Sequence, residues 1–241
     1  MVAIFILGIV GLFIFGSKYY LEQTRQALAF ETAKAFEISI STLHQFYSKE
    51  IVPRAKAGGV ELTDDLQSST KKIPFPATMT INYGEQLELV SAGMTTSMYS
   101  AYPFPGRSDR RLDEFQLKAL RFLQENPGKH YYRFAEIAER KVIRYSRPIL
   151  MSYDCIECHN SAGIGREWVI GDFRGVREVV IDLPRADALE REMTEVAIIL
   201  AVLATIFGSI VMLPTVGILQ SSSKVNRSLA KELTEKNAVL S

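Results

Sequence analysis

Cysteine is nearly absent from this chain: there are two in 241 residues. Histidine is scarce too, and His44, His130 and His159 are the whole set. These shortages exclude a disulfide framework. They also exclude a structural zinc site, which draws four ligands from two Cys pairs or from one pair and two later histidines. No Cys or His follows His159. Charge of one sign is missing as well. Lysine plus arginine number 28 and aspartate plus glutamate 27, a formal net charge of +1, so the overall balance does not suggest a nucleic-acid partner. The acidic pairs Asp64-Asp65 and Asp113-Glu114 read as a solvated loop and a helix start. Nothing resembles a nucleophile–base constellation, and the chain is expected not to be an enzyme.

What is present is concentrated at one place. Cys155-Ile156-Glu157-Cys158-His159 reads C-x-x-C-H, the spacing that covalent attachment of a c-type haem requires. Two thiols one helical turn apart add to the two vinyl groups of one porphyrin. The adjacent imidazole then lies under the ring as the proximal iron ligand. Haem c is therefore the expected cofactor, attached at Cys155 and Cys158 with His159 on the iron. A thioredoxin-like redox pair would need a strand before the motif and no histidine behind it. A disulfide between cysteines three apart has poor geometry. A haem-free ligand-binding sensor with a chance pentad is the remaining rival.

Two apolar runs bracket the chain. Residues 2–15 are apolar or glycine, followed by Lys18 and the pair Tyr19-Tyr20. About twenty residues span a bilayer, so this run reaches across with the tyrosines at the interface. A cleaved signal peptide is disfavoured, because no basic segment precedes the run and no small-x-small site follows it. Residues 196–213 form a second uncharged run, broken by Pro214 and extended by 216–219. Lys224, Arg227 and Lys231 beyond it mark that end as cytoplasmic. The segment between the runs is then extracytoplasmic, the side on which bacteria attach haem c.

Between the runs lie roughly 180 residues, enough for one domain with its own core. Ala27, Phe30, Ala33, Phe36, Ile40, Leu43 and Phe46 recur at helical spacing, a stalk helix that Gly58-Gly59 ends. Residues 77–89 fit strand and helix equally. Residues 97–102, 130–134, 141–145 and 168–183 read as strands, and 112–124 as a helix. Gly171 and Gly175 suggest bulges or close approach of another group. Residues 185–194 read as a helix feeding the second span. The expected organisation is a first transmembrane helix (1–20), a stalk (21–56), a haem domain (57–195), a second transmembrane helix (196–219) and a cytoplasmic helix (220–241). With Asn226 at an a position of a heptad, Leu229 falls on d and Leu233 and Leu240 on a, the start of a signalling coiled coil. The fold class is α+β: a PAS-like antiparallel sheet with flanking helices, between two membrane helices.

Five ordered segments carry a family resemblance: I-P-F-P-A-T (73–78), Y-P-F-P-G-R (102–107), R-Y-S-R-P (144–148), C-I-E-C-H-N (155–160) and G-D-F-R-G-V (171–176). Together they resemble the haem-c-binding PAS-like sensor family, once known only as a domain of unknown function. That family is found in front of bacterial histidine kinases and nucleotide cyclases. The resemblance covers about 41–183 and implies thioether attachment at Cys155 and Cys158 with His159 axial. It departs at 161–167, which is shorter and lacks the family's prolines. Some relatives place a cysteine on the far side of the iron. Here both thiols are committed, leaving His44, His130, Met79, Met94, Met98 and Met151, with Met94 and Met98 in a loop able to fold over the ring, and His130 in an exposed turn. Arg107, Arg144, Arg147 and Arg174 lie inside the motifs and suit haem propionates, with Arg174 and Arg147 ranked first.

The implied function is a sensor in the bacterial cytoplasmic membrane. Iron redox change or a diatomic gas would be relayed to a cytoplasmic kinase or cyclase output. Two membrane helices and a coiled-coil tail favour a homodimer. The alternative is a membrane-tethered c-type cytochrome that exchanges electrons with a redox partner.

Overall fold

The computed structural model describes residues 2–67, 69–91, 93–104, 110–161, 166–183 and 187–239. Arg107 and most of the 161–167 stretch lie outside them. The chain divides into two compact units: Met1–Glu22 with Arg185–Ser241, and Gln23–Pro184. The stalk residues from Gln23 onward fall in the second unit, together with the sheet.

Helix α1 (Val2–Phe46), which belongs to that unit from Gln23 onward, runs into a π-helical turn (Tyr47–Ile51) and helix α2 (Val52–Ala57). Pro53 stands in the first turn of α2, where its missing N–H costs nothing. A two-residue parallel bridge joins β1 (Leu62–Thr63) to β2 (Ile73–Pro74). The ambiguous segment is a helix, α3 (Pro76–Val90), started by a proline in its first turn. Four further strands build the main sheet: β3 (Met94–Tyr99), β4 (Tyr131–Ile137), β5 (Arg140–Leu150) and β6 (Phe173–Asp182). Their spatial order is β3-β6-β5-β4, antiparallel throughout. The α+β expectation, an antiparallel sheet with flanking helices, describes this unit.

Helix α1 closes one face of the sheet. Ala29 and Ala33 are fully buried, and their small side chains let the helix approach Ile143, Tyr145, Val179 and Ile181. Helix α4 (Glu114–Glu125) closes the other face through Leu120 and Leu123 against Tyr99 and Val176. A capping box starts α4: Asp113 Oδ1 accepts from the Gln116 amide at 2.9 Å, and Gln116 Oε1 accepts from the Asp113 amide at 3.3 Å. Strands β4 and β5 are longer than the hydrophobic pattern implied. They meet in a two-residue turn, Ala138-Glu139, with both φ positive (49° and 63°), a tight hairpin without the usual Gly or Asn signal. Gly175 is where another backbone approaches: a Cβ there would lie 2.5 Å from the Tyr99 carbonyl oxygen.

In the other unit, α6 (Asp187–Val239) is a single helix that continues through Pro214. Proline removes one backbone hydrogen bond, and a helix tolerates this where the remaining ladder holds. Thr194–Lys231 is long and apolar enough to cross a membrane, and Ile199, Leu203, Phe207 and Ile210 on it are exposed. The first apolar run belongs to α1, and most of its side chains lie outside the described residues.

Candidate functional site

Cys155, Cys158 and His159 all lie on one short helix, α5 (Tyr153–Ser161). Both thiols are free and half-buried, and Cys155 Sγ is 3.1 Å from Ser152 Oγ. Asn160 closes the segment behind them. Its Nδ2 donates to the Trp168 carbonyl at 3.0 Å, and its Oδ1 accepts from the Trp168 amide at 2.8 Å. This pair of hydrogen bonds brings the one tryptophan of the chain, 2 % exposed, to within 6.3 Å of the His159 ring, centroid to centroid. Phe104 stands 5.5 Å from the same ring, and Tyr102 meets Trp168 edge-on at 5.5 Å. His159 thus sits in an aromatic pocket, with its pKa lowered from 6.5 to about 4 by burial and then by Arg174. It is a neutral imidazole at pH 7.

Arg174 belongs to this pocket. Its Nε donates to His159 Nδ1 at 3.4 Å and its Nη1 to Ser100 Oγ at 2.6 Å. The guanidinium lies over Trp168 (5.2 Å) and Phe104 (5.5 Å). Burial lowers its pKa. The other ranked arginines go elsewhere. Arg144 is on the α4 face, paired with Glu178 (2.6 Å) and Asp113 (2.7 Å) and stacked on Phe115, so its charge is already spent inside the domain. Arg147 bonds the Tyr145 side chain and lies near His130.

The second histidine arrives from α1. The π-helical turn after His44 packs on α5, and Lys56 on α2 pairs with Glu157 at 3.0 Å. His44 is near enough to His159 for a proton on one ring to disfavour a proton on the other. Its pKa is lowered to about 4, chiefly by burial, then by Arg177, then by His159. His44 Nδ1 lies 2.8 Å from Thr80 Oγ1, and the Tyr47 hydroxyl donates to the Pro74 carbonyl at 2.8 Å. The P-F-P segment is thereby strapped to the end of α1. π-Helical turns of this kind recur at functional sites.

Met94, Met98 and His130 are placed differently from expectation. Met94 and Met98 are on strand β3, not in a loop, because pairing with β6 extends the chain from residue 94. Met94 packs against the α1-face core, and Met151 is buried. His130 is not exposed: it stacks on Tyr145 (5.3 Å, 21°) and meets Phe30 at 5.5 Å. Thr80, Trp168, Phe104 and Asn160 were not singled out in the sequence. Two of them carried a signal: Asn160, directly behind His159 in C-I-E-C-H-N, and Phe104, inside Y-P-F-P-G-R.

A sequence model of the Tll0287-like family matches residues 21–182. The chain belongs to the Tll0287-like family. Among solved structures, it is similar to that of the cyanobacterial haem protein Tll0287. The identity is 13% over 67% of this chain and 94% of that chain, with a TM-score of 0.35. No curated protein matches. The family match covers the strapped α1 end, α5 and the whole main sheet, so the site described here lies within it. Among the described residues, no group of three or more His, Cys, Asp or Glu is gathered to hold a bare metal ion.

Proposed function

We propose that this domain binds haem c covalently through Cys155 and Cys158, with His159 and His44 as its two axial imidazoles, and that it is a membrane-anchored extracytoplasmic redox sensor. The observation that carries the reading is the approach of two uncharged imidazoles, from α5 and from α1, beside two free thiols. The donor set fits the group, since a porphyrin supplies four nitrogens and asks the protein for axial ligands and thiols. Family membership agrees, because Tll0287 is a haem protein.

Each residue then has a task. Burial keeps His159 and His44 neutral, the form in which imidazole binds a metal. Trp168, Phe104 and Tyr102 exclude water from the His159 side. Arg174 can only donate, and its 3.4 Å contact to His159 is long, so among the described arginines of the motifs it suits a propionate best. Bound haem supplies a one-electron iron couple whose potential follows its axial ligands and burial. His44 would hold the iron from α1, the helix that contains the first apolar run. Relay requires two arrangements that the two iron states stabilise differently. The proposal includes a bacterial cytoplasmic membrane, a homodimer and a cytoplasmic kinase or cyclase output.

The test uses the full chain purified with its cofactor. Expected are a c-type α band, a low-spin ferric paramagnetic spectrum and a ferrous form that resists carbon monoxide. Replacing Cys155 and Cys158 with Ala abolishes haem retention under denaturing conditions. His44→Ala opens the iron to carbon monoxide. Ready binding of the gas by the unaltered protein would instead indicate a gas site. Hydrogen exchange in α1 and α6 is expected to differ between ferric and ferrous protein; identical exchange favours the tethered electron carrier.

A further inference from the structure

An imidazole binds a metal through a nitrogen lone pair, so only one of its two neutral tautomers offers Nε2. The surroundings of His44 select that tautomer. Its Nδ1 is 2.8 Å from Thr80 Oγ1. A threonine hydroxyl has one proton, and that of Thr80 is donated to the Pro76 carbonyl at 3.1 Å. With that proton on the carbonyl side, the oxygen offers the ring a lone pair, and Nδ1 is then the donor. The Pro76 carbonyl thereby orients the oxygen that faces His44.

We infer that Thr80, backed by the Pro76 carbonyl, is a positioning residue that holds His44 as its Nδ1–H tautomer and leaves Nε2 free to bind iron. This rests on the reading of His44 as an axial ligand. Thr80 is 2 % exposed, so water does not compete for the bond. A helical threonine often bonds back to the carbonyl four residues earlier; the difference here is an imidazole on the other side of the same oxygen. The strap from Tyr47 to Pro74 and the start of α3 at Pro76 keep the three groups together. Histidine ligands of metals are commonly oriented by such an outer partner, and its loss weakens metal binding by about 10–100-fold.

The experiment compares the haem-loaded full chain with Thr80→Val, which keeps the shape without the hydroxyl, and Thr80→Ser, which restores the hydroxyl. In Thr80→Val, the apparent affinity of ferrous protein for carbon monoxide should rise by about 10–100-fold as His44 competes less well. The ferric low-spin signature should shift, and Thr80→Ser should return both to the wild-type values. Unchanged affinity and signature in Thr80→Val overturn the inference. His44→Ala separates the two levels of the argument. If it leaves the iron low-spin and closed, the ligand reading fails; if it opens the iron while Thr80→Val does not, only the role of Thr80 fails. A measurement that needs no variant is nitrogen NMR of histidine-labelled ferrous protein. A protonated His44 Nδ1 in slow exchange is expected, and an unprotonated one overturns the inference.

Discussion

Arg177 and Glu178 are neighbours on β6, and the alternation of a strand sends them to opposite faces of the sheet. On the α1 face, Arg177 Nε donates to Glu37 at 3.0 Å and Nη2 to Ser41 at 3.0 Å. On the α4 face, Glu178 accepts from Arg144 at 2.6 Å and Gln116 at 3.0 Å, while Arg144 also holds Asp113. Both faces therefore bury an arginine–glutamate pair, but they differ in redundancy. The α4 face is a network that joins strand, helix and helix cap. On the α1 face, the described residues give Glu37 one arginine, Arg177, and the helix so fixed is the one that presents His44. Glu37, Ser41, His44 and Ser48 follow one another along that helix at three and four residues.

Removing one partner from each face tests this contrast most strongly. Glu37→Ala strands the buried Arg177 charge and should cost about 3–5 kcal/mol in urea unfolding. The paired change Glu37→Leu with Arg177→Met should recover most of that loss. Gln116→Ala, which leaves Glu178 its arginine, should cost about 1–3 kcal/mol. Equal losses from Glu37→Ala and Gln116→Ala would remove the distinction between the faces. Gly175→Ala comes next. The added Cβ meets the Tyr99 carbonyl, which is backbone and cannot swing aside, so a loss near the upper end of about 1–3 kcal/mol is expected.

Acid should act on the α1 face. In the haem-free chain with both cysteines replaced by Ala, His44 has a pKa of about 4 when folded against 6.5 unfolded. As pH falls the unfolded chain takes up the proton first. The stability is therefore fully present above about 6.5 and lost as pH falls through about 4, on the order of 2 kcal/mol for His44 after allowing for its partial exposure. His159 contributes with the same sign. His44→Gln should flatten this dependence; an unchanged slope would detach it from the α1 face. The smallest effect is expected from Asp113→Ala, which removes the α4 cap and should cost about 1 kcal/mol by thermal unfolding.

Much of the fold was legible because its signals are local. The apolar spacing of α4, the glycines after α2 and the strand runs of β4, β5 and β6 all identify elements within a few residues. The boundaries failed where pairing overrode pattern. Strand β3 begins at Met94 because β6 lies beside it, and the β4–β5 hairpin extends to Ala138-Glu139 although neither residue favours a tight turn. Residues 77–89 could not be assigned from their own periodicity, since Gly84 and Thr80 pack against other elements rather than forming an apolar stripe. A Cβ on Gly84 would lie 2.7 Å from the Thr96 carbonyl.

The candidate site divides in the same way. The attachment chemistry is inherent in five consecutive residues, because two thiols and an imidazole need only the pitch of one helix to reach one side of a porphyrin. No such local rule selects among His44, Met94 and Met98, or among four arginines. Strand alternation turns Arg144 to the far face, where Glu178 takes it, and strand pairing puts Met94 into the core. The P-F-P strap and the π-helical turn bring His44 towards α5. Which side chains converge depends on contacts between segments far apart in the chain, and those exist only once the sheet has formed and its faces are covered.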